Sequence, residues 1–160
     1  MTDQKLRVRA EDAQDLAVIA AILQDAEGAV GEMAFDPEER RFMAAFRRYR
    51  RELPHDPMTG LGLTETASVL TFRCIAEAKH HALAALPNDA PLHLLTIATE
   101  PGQRRLFHIT LHFDDDRRIQ LRSDCIDCRL EDVGKPTPCA IPPCNHFDDA
   151  ERDDAKGAKA

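Results

Sequence analysis

Apolar and polar positions along the chain follow two periods, and the switches between them predict the elements. Lys5–Arg9 alternates, with Leu6 and Val8 on one face and Arg7 and Arg9 on the other, so it reads as a short strand. From Asp12 to Ala26 the period lengthens. Leu16, Ile19, Leu23 and Ala26 recur at steps of three and four with Val18 and Ile22 beside them, which predicts a helix whose stripe must pack on something, most simply a sheet. Asp12 is its candidate N-cap and Gly28 its candidate stop.

Ala29–Phe35 alternates weakly and meets Asp36-Pro37-Glu38-Glu39, a turn signal. Arg41–Arg51 fits both periods. Phe42, Ala45, Phe46 and Tyr49 share a helical face, whereas Phe42, Ala44 and Phe46 share a strand face; the short turn before them favours a β-hairpin. Glu52–Thr66, with Pro54, Pro57, Gly60 and Gly62, reads as a loop. Val69–Glu77 reads as one strand, and Ala76–Leu86 carries a helical alternative before Pro87-Asn88-Asp89 breaks the chain. A three-stranded meander follows. Leu92–Thr99 is continuously apolar, Leu106–Phe113 points Phe107, Ile109, Leu111 and Phe113 inward, and Arg117–Arg122 points Ile119 and Leu121 inward. Ser123-Asp124 opens a second predicted helix to Val133, with Ile126, Leu130 and Val133 in step and Gly134 and Pro136 at its end. Beyond it the chain is Pro-rich, then acidic and Ala-rich, and is expected to be disordered.

The expected fold class is therefore α+β. A curved, mostly antiparallel sheet of six or seven strands packs on the N-terminal helix, with a second helix near the C-terminus; a PH-like roll or partly open barrel is the specific version. Residues 1–136 would form a single domain and 137–160 its tail.

Composition narrows the function classes. A chain of 160 residues is about one domain. A net charge of −7, with one Tyr and no Trp, argues against nucleic acid and anionic membranes as partners. The longest apolar run, Ala17–Leu23, is far short of the ~20 residues of a spanning helix. The polar start Met1–Lys5 lacks the apolar core of a signal peptide, so a cytoplasmic location is expected. Five cysteines in a chain able to build its own core point to reduced thiols or a metal site rather than a disulfide framework.

The best candidate chemistry lies near the C-terminus. Cys125, Cys128, Cys139, Cys144 and His146 follow the pattern C-x2-C-x10-C-x4-C-x-H. Zinc takes four thiolate or imidazole ligands in a tetrahedron, and a close pair plus a second pair returning over a Pro-rich loop could supply them. Zinc is thus the one candidate cofactor, set against buried or chance thiols as the plainer explanation. A redox role would use the same Cys-x-x-Cys at a helix N-terminus, but Asp124 and Asp127 place negative charge beside it.

Other features carry less. His108 and His112 share a strand face, about 13 Å apart at the usual rise, too far to chelate one ion alone. Arg40, Arg41, Arg47, Arg48, Arg50 and Arg51 form a dense basic cluster that could meet an acidic partner or a phosphate, yet Glu38, Glu39 and Glu52 beside it favour a self-neutralised face. Asp114–Asp116 lacks the Gly and terminal Glu of a calcium loop, and Gly60-Leu61-Gly62 lacks a third Gly and a helix.

The short Leu-Arg-Val strand, the helix segment Glu11–Ala26, Val30-Gly31-Glu32-Met33-Ala34, Arg40-Arg41-Phe42, Leu94-Leu95-Thr96-Ile97 and Cys125–Gly134 together resemble an alphaproteobacterial domain-of-unknown-function family, DUF2948, over about residues 5–136. The resemblance implies a cytosolic bacterial protein with a strand at Arg41–Tyr49. It implies no activity, cofactor or catalytic residue. At the position of Cys128 the family pattern resembles Ala, and Cys139 and Cys144 have no counterpart in it, so zinc would belong to this chain rather than to the family.

Three functions from different classes follow. The first is a non-enzymatic binding or interaction module, using the sheet face or the Arg41–Arg51 region, with a partner that could be a protein. The second is a domain with a small structural zinc site at the cysteine cluster. The third is an enzyme with an unrecognised site, which predicts a deep pocket holding a perturbed titratable group.

Overall fold

A computed structural model describes residues 5–102 and 106–139. Eleven antiparallel strands form one sheet that curls around a single hydrophobic cluster without closing into a barrel. In chain order they are β1 (Arg7–Ala10), β2 (Glu27–Ala29), β3 (Met33–Asp36), β4 (Arg41–Tyr49), β5 (Thr64–Phe72), β6 (Ile75–His81), β7 (Pro91–Pro101), β8 (Phe107–Phe113), β9 (Arg118–Ser123), β10 (Cys128–Asp132) and β11 (Thr137–Pro138). The order across the sheet is β1-β10-β5-β4-β2-β7-β8-β9-β6, with β3 on β4 and β11 on β5. Among the described residues there is one α-helix, α1 (Ala13–Ile22), and none long and apolar enough to cross a membrane.

The expected antiparallel sheet on an N-terminal helix is present, but the strand count exceeds six or seven and the second helix is absent. Asp12 caps α1 as predicted, accepting from the Asp15 amide at 2.7 Å. Leu16, Ile19 and Ala20 are buried against the sheet. The helix stops at Ile22, before the predicted Ala26, because Asp25 turns left-handed (φ 65°) and its amide joins β7 at Leu94. That turn releases Ala26 and Gly28 into strand geometry.

The hairpin reading of Arg41–Tyr49 is correct. Phe35 pairs with Phe42 and Asp36 with Arg41, while the Asp36 carboxylate accepts from the amides of Glu38 and Glu39. Phe42, Ala44, Phe46 and Arg48 face inward along β4. They stack in layers with neighbouring strands: Phe42 beside Phe72 and Cys128, Ala44 beside Leu70 and Leu130, Phe46 beside Ser68 and Asp132.

Two strand boundaries depart from expectation. The predicted single strand Val69–Glu77 is two strands, broken at Arg73-Cys74, where Cys74 adopts φ 63° and the chain leaves β5 for the far edge of the sheet. Thr64–Thr66, read as the end of the Pro- and Gly-marked loop, form with Ala67 and Ser68 the first half of β5. Their buried hydroxyls are satisfied internally: Thr66 donates to the Gly134 carbonyl and Ser68 to Asp132. The predicted meander of β7, β8 and β9 is present with the expected inward residues Ile109, Leu111, Phe113, Ile119 and Leu121.

The predicted helix at Asp124–Val133 is β10. Cys128, Leu130 and Asp132 point inward and Arg129 and Glu131 outward, a period of two that the apolar spacing of Ile126, Leu130 and Val133 masked. β10 completes ladders with both β1 and β5, and a helix there would have left two edges unpaired.

Candidate functional site

β6 is one edge of the curled sheet and lies near β4, joined to it by a hydrogen bond from the Ile75 amide to the Arg40 carbonyl at 2.9 Å. No ladder closes this seam. A cavity of about 310 Å³ opens along it. Met33, Ala34, Phe35 and Phe42 of the β3–β4 hairpin form one wall, Ala78 of β6 and Ile119 of β9 another, and Leu83, Ala84 and Leu86 of the following loop the third. The rim carries Lys79, His80 and Asn88. The loop is pinned by the Gly31 amide, which donates to the Asn88 carbonyl at 2.9 Å. A Cβ at Gly31 would lie 3.0 Å from that carbonyl oxygen, so a residue without a side chain permits the contact. Lys79 pairs with Glu77 at 3.4 Å on the exposed outer surface.

One end of the seam holds two thiols. Ser123 donates its hydroxyl to the Cys74 carbonyl at 3.1 Å and accepts from the Cys125 amide. Burial, together with the neighbouring Cys74 side chain, pushes the Cys125 thiol up to about 12. The Arg40 guanidinium sits beside both sulfurs and is ion-paired with Asp124, whose carboxyl that hydrogen bond holds below its ordinary value.

The opposite end of the core is sealed by buried charge. Arg48 is fully buried and forks onto Asp132, with its Nε 2.9 Å from one carboxylate oxygen and its Nη2 2.8 Å from the other. Glu52 takes two further bonds from Arg48. Asp132 also accepts from Ser68 and from the Leu6 amide. Burial opposes the charge on both partners. The hydrogen bonds prevail, raising Arg48 above and holding Asp132 below their ordinary values.

The cysteine cluster does not assemble as the spacing suggests. Cys128 lies in the core opposite Phe72, whereas Cys139 follows β11 and donates its amide to Leu63, beyond the far end of β5. Eight residue steps of β5, about 26 Å, separate the two positions, so they cannot ligate one ion. Burial pushes the Cys128 thiol up. Cys125 turns away to Cys74, a partner that sequence spacing does not reveal because 50 residues intervene. No helix begins at Cys125, so the helix-terminus stabilisation invoked for a redox pair with Cys128 is absent. Cys144 and His146 lie outside the described residues. Among those residues, no three His, Cys, Asp or Glu side chains are placed to hold a metal ion.

All of the arginine cluster but Arg41, which makes no ion pair among the described residues, is spent on internal contacts or buried. Arg40 pairs with Asp124, Arg47 with Glu65, Arg48 with Asp132 and Glu52, and Arg51 with Asp25, while Arg50 is buried. The expected self-neutralised character is right, but its partners are mostly distant in sequence, and two of the arginines are interior.

A family model described as a protein of unknown function, DUF2948, matches residues 6–145. The chain belongs to the DUF2948 family. No curated protein and no solved structure matches it. In this DUF2948 chain the matched span includes the seam, both thiols and the buried charge network.

Proposed function

We propose that the chain is a non-enzymatic binding module whose seam cavity takes a small amphipathic anion, with a short aliphatic or aryl body and one carboxylate or sulfonate head. The observation that carries this is the apolar cavity of about 310 Å³ at the unclosed seam, within the size range of small-ligand sites. Its walls would bury the apolar body. Lys79, whose ion pair among the described residues is an exposed contact to Glu77, can turn to the head group, with His80 and Asn88 beside it. Of the large exposed apolar side chains, Val18 is on α1, Met43 on β4, Leu95 on β7 and Val133 just past β10, while Met58 and Leu61 share the β4–β5 loop, a dispersal that favours a pocket ligand over a broad protein interface. The single core from β1 to β10 supports treating residues 1–136 as one domain.

The test uses an anionic naphthalenesulfonate dye, with decanoate as competitor. Saturable dye fluorescence that decanoate displaces is expected. Ala84→Trp or Ala34→Trp, at exposed lining positions, should fill the cavity and weaken binding at least about tenfold, while Lys79→Glu weakens it several-fold. An unchanged dye response in both Trp variants, with unaltered thermal unfolding, would overturn the proposal.

A further inference from the structure

We propose that Cys74 and Cys125 are a modification site: they form a reversible disulfide by exchange with a small-molecule disulfide of the oxidised-glutathione class. The inference stands apart from the ligand reading of the cavity. The Cys74 and Cys125 side chains are neighbours, brought together at Ser123, and both residues are partly exposed, so a small reagent can reach them. Their backbones are fixed by the same side chain, since Ser123 binds the Cys74 carbonyl and the Cys125 amide just past the Ile75–Ser123 pair that ends the β6–β9 ladder. Cys74 is held at φ 63°, in the left-handed region that glycine adopts readily and cysteine does not. The fold thus keeps a sulfur at a corner where a residue without one would sit more easily. Neither of the other described thiols can pair with them in the folded chain, because Cys128 is in the core and Cys139 is at the far end of β5. The charged groups around the pair are Arg40, Asp124 and Asp127.

The chemistry balances with the disulfide reagent as oxidant. The Cys74 sulfur gives up its proton and attacks one sulfur of the reagent. Its S–S bond breaks and one thiolate leaves, giving a mixed disulfide on Cys74. The Cys125 sulfur then loses its proton, attacks Cys74 and expels the second thiolate. Two protein thiols lose two protons and two electrons, and the reagent gains them as two thiols. The new bond would tie the β5–β6 corner to the β9–β10 turn, beside the Arg40–Asp124 ion pair at the end of the seam.

The experiment uses the full chain, reduced, then incubated folded with oxidised glutathione, alkylated and mapped by proteolysis and mass spectrometry. The expected result is one Cys74–Cys125 linked peptide, with those two thiols lost together and recovered with dithiothreitol. Closing a loop of this length should raise the Tm by about 5 °C or more. Cys128→Ser and Cys139→Ser should keep the link, and Cys125→Ser should leave Cys74 as the glutathione mixed disulfide. Cys74 and Cys125 recovered singly alkylated or singly glutathionylated in the unsubstituted chain, or linked only after denaturation, would overturn the proposal. That map needs no variant to fold.

Discussion

The inward face of β4 begins at the seam and ends in a salt bridge, and its two ends behave in opposite ways. At Phe42 the wall of the core meets an unclosed edge, where a cavity remains and the free thiols Cys74 and Cys125 lie at the end of the seam. At Arg48 every charge has a partner supplied by another strand, and nothing is left to bind. A buried charge by itself is therefore a poor pointer to function. A satisfied network uses up its own hydrogen-bonding capacity, while a gap in strand pairing leaves surface for something else.

The sharpest way to break this comparison is at the sealed end. Arg48→Met should destabilise the fold by about 3–5 kcal/mol, because it strands Asp132 as a buried, unpaired carboxylate. Arg47→Met, one residue away but paired with Glu65 on the exposed face, should cost under about 1 kcal/mol. Urea unfolding of both variants measures the contrast, and equal losses would deny the network its special standing.

Acid provides a second, smaller handle. Arg48 holds the carboxyls of Asp132 and Glu52 below their ordinary values. A carboxyl with a depressed folded pKa contributes stability that is fully present above its unfolded pKa, near 4, and is lost as pH falls through the folded value. Stability should therefore be flat on this account above about pH 5 and decline below about pH 4. The decline should be shallower in Arg48→Met, as chemical unfolding at stepped pH would show.

The smallest effect is expected at the seam corner. Cys74→Gly relieves the left-handed backbone but gives the unfolded chain more freedom, so its stability should stay within about 1 kcal/mol of the unsubstituted chain. Cys74→Val, β-branched and ill suited to φ 63°, should lose more than about 1 kcal/mol. If both variants unfold alike, the corner carries no backbone strain.

Helix α1, the β3–β4 hairpin and the β7–β9 meander are legible in the chain because each is specified locally. A capping Asp and a spaced apolar stripe mark α1, an Asp-Pro turn marks the hairpin, and alternation marks the meander. The first half of β5 is hidden because its inward positions are Thr66 and Ser68, whose burial becomes tolerable only when Gly134 and Asp132 arrive from a distant segment. β10 is hidden for a related reason. Five residues with two apolar inward positions fit either period, and the choice belongs to β1 and β5, which need a partner between them.

The candidate site follows the same division. The cysteines and arginines are visible in the chain as residue types. Which thiol meets which is decided by where the sheet turns its corner, and that brings Cys125 to Cys74 rather than to Cys128. Local patterns can place side chains on faces because the backbone has only two common periods. The seam, the cavity and the thiol pair depend on contacts between residues far apart in sequence, so only the assembled sheet determines them.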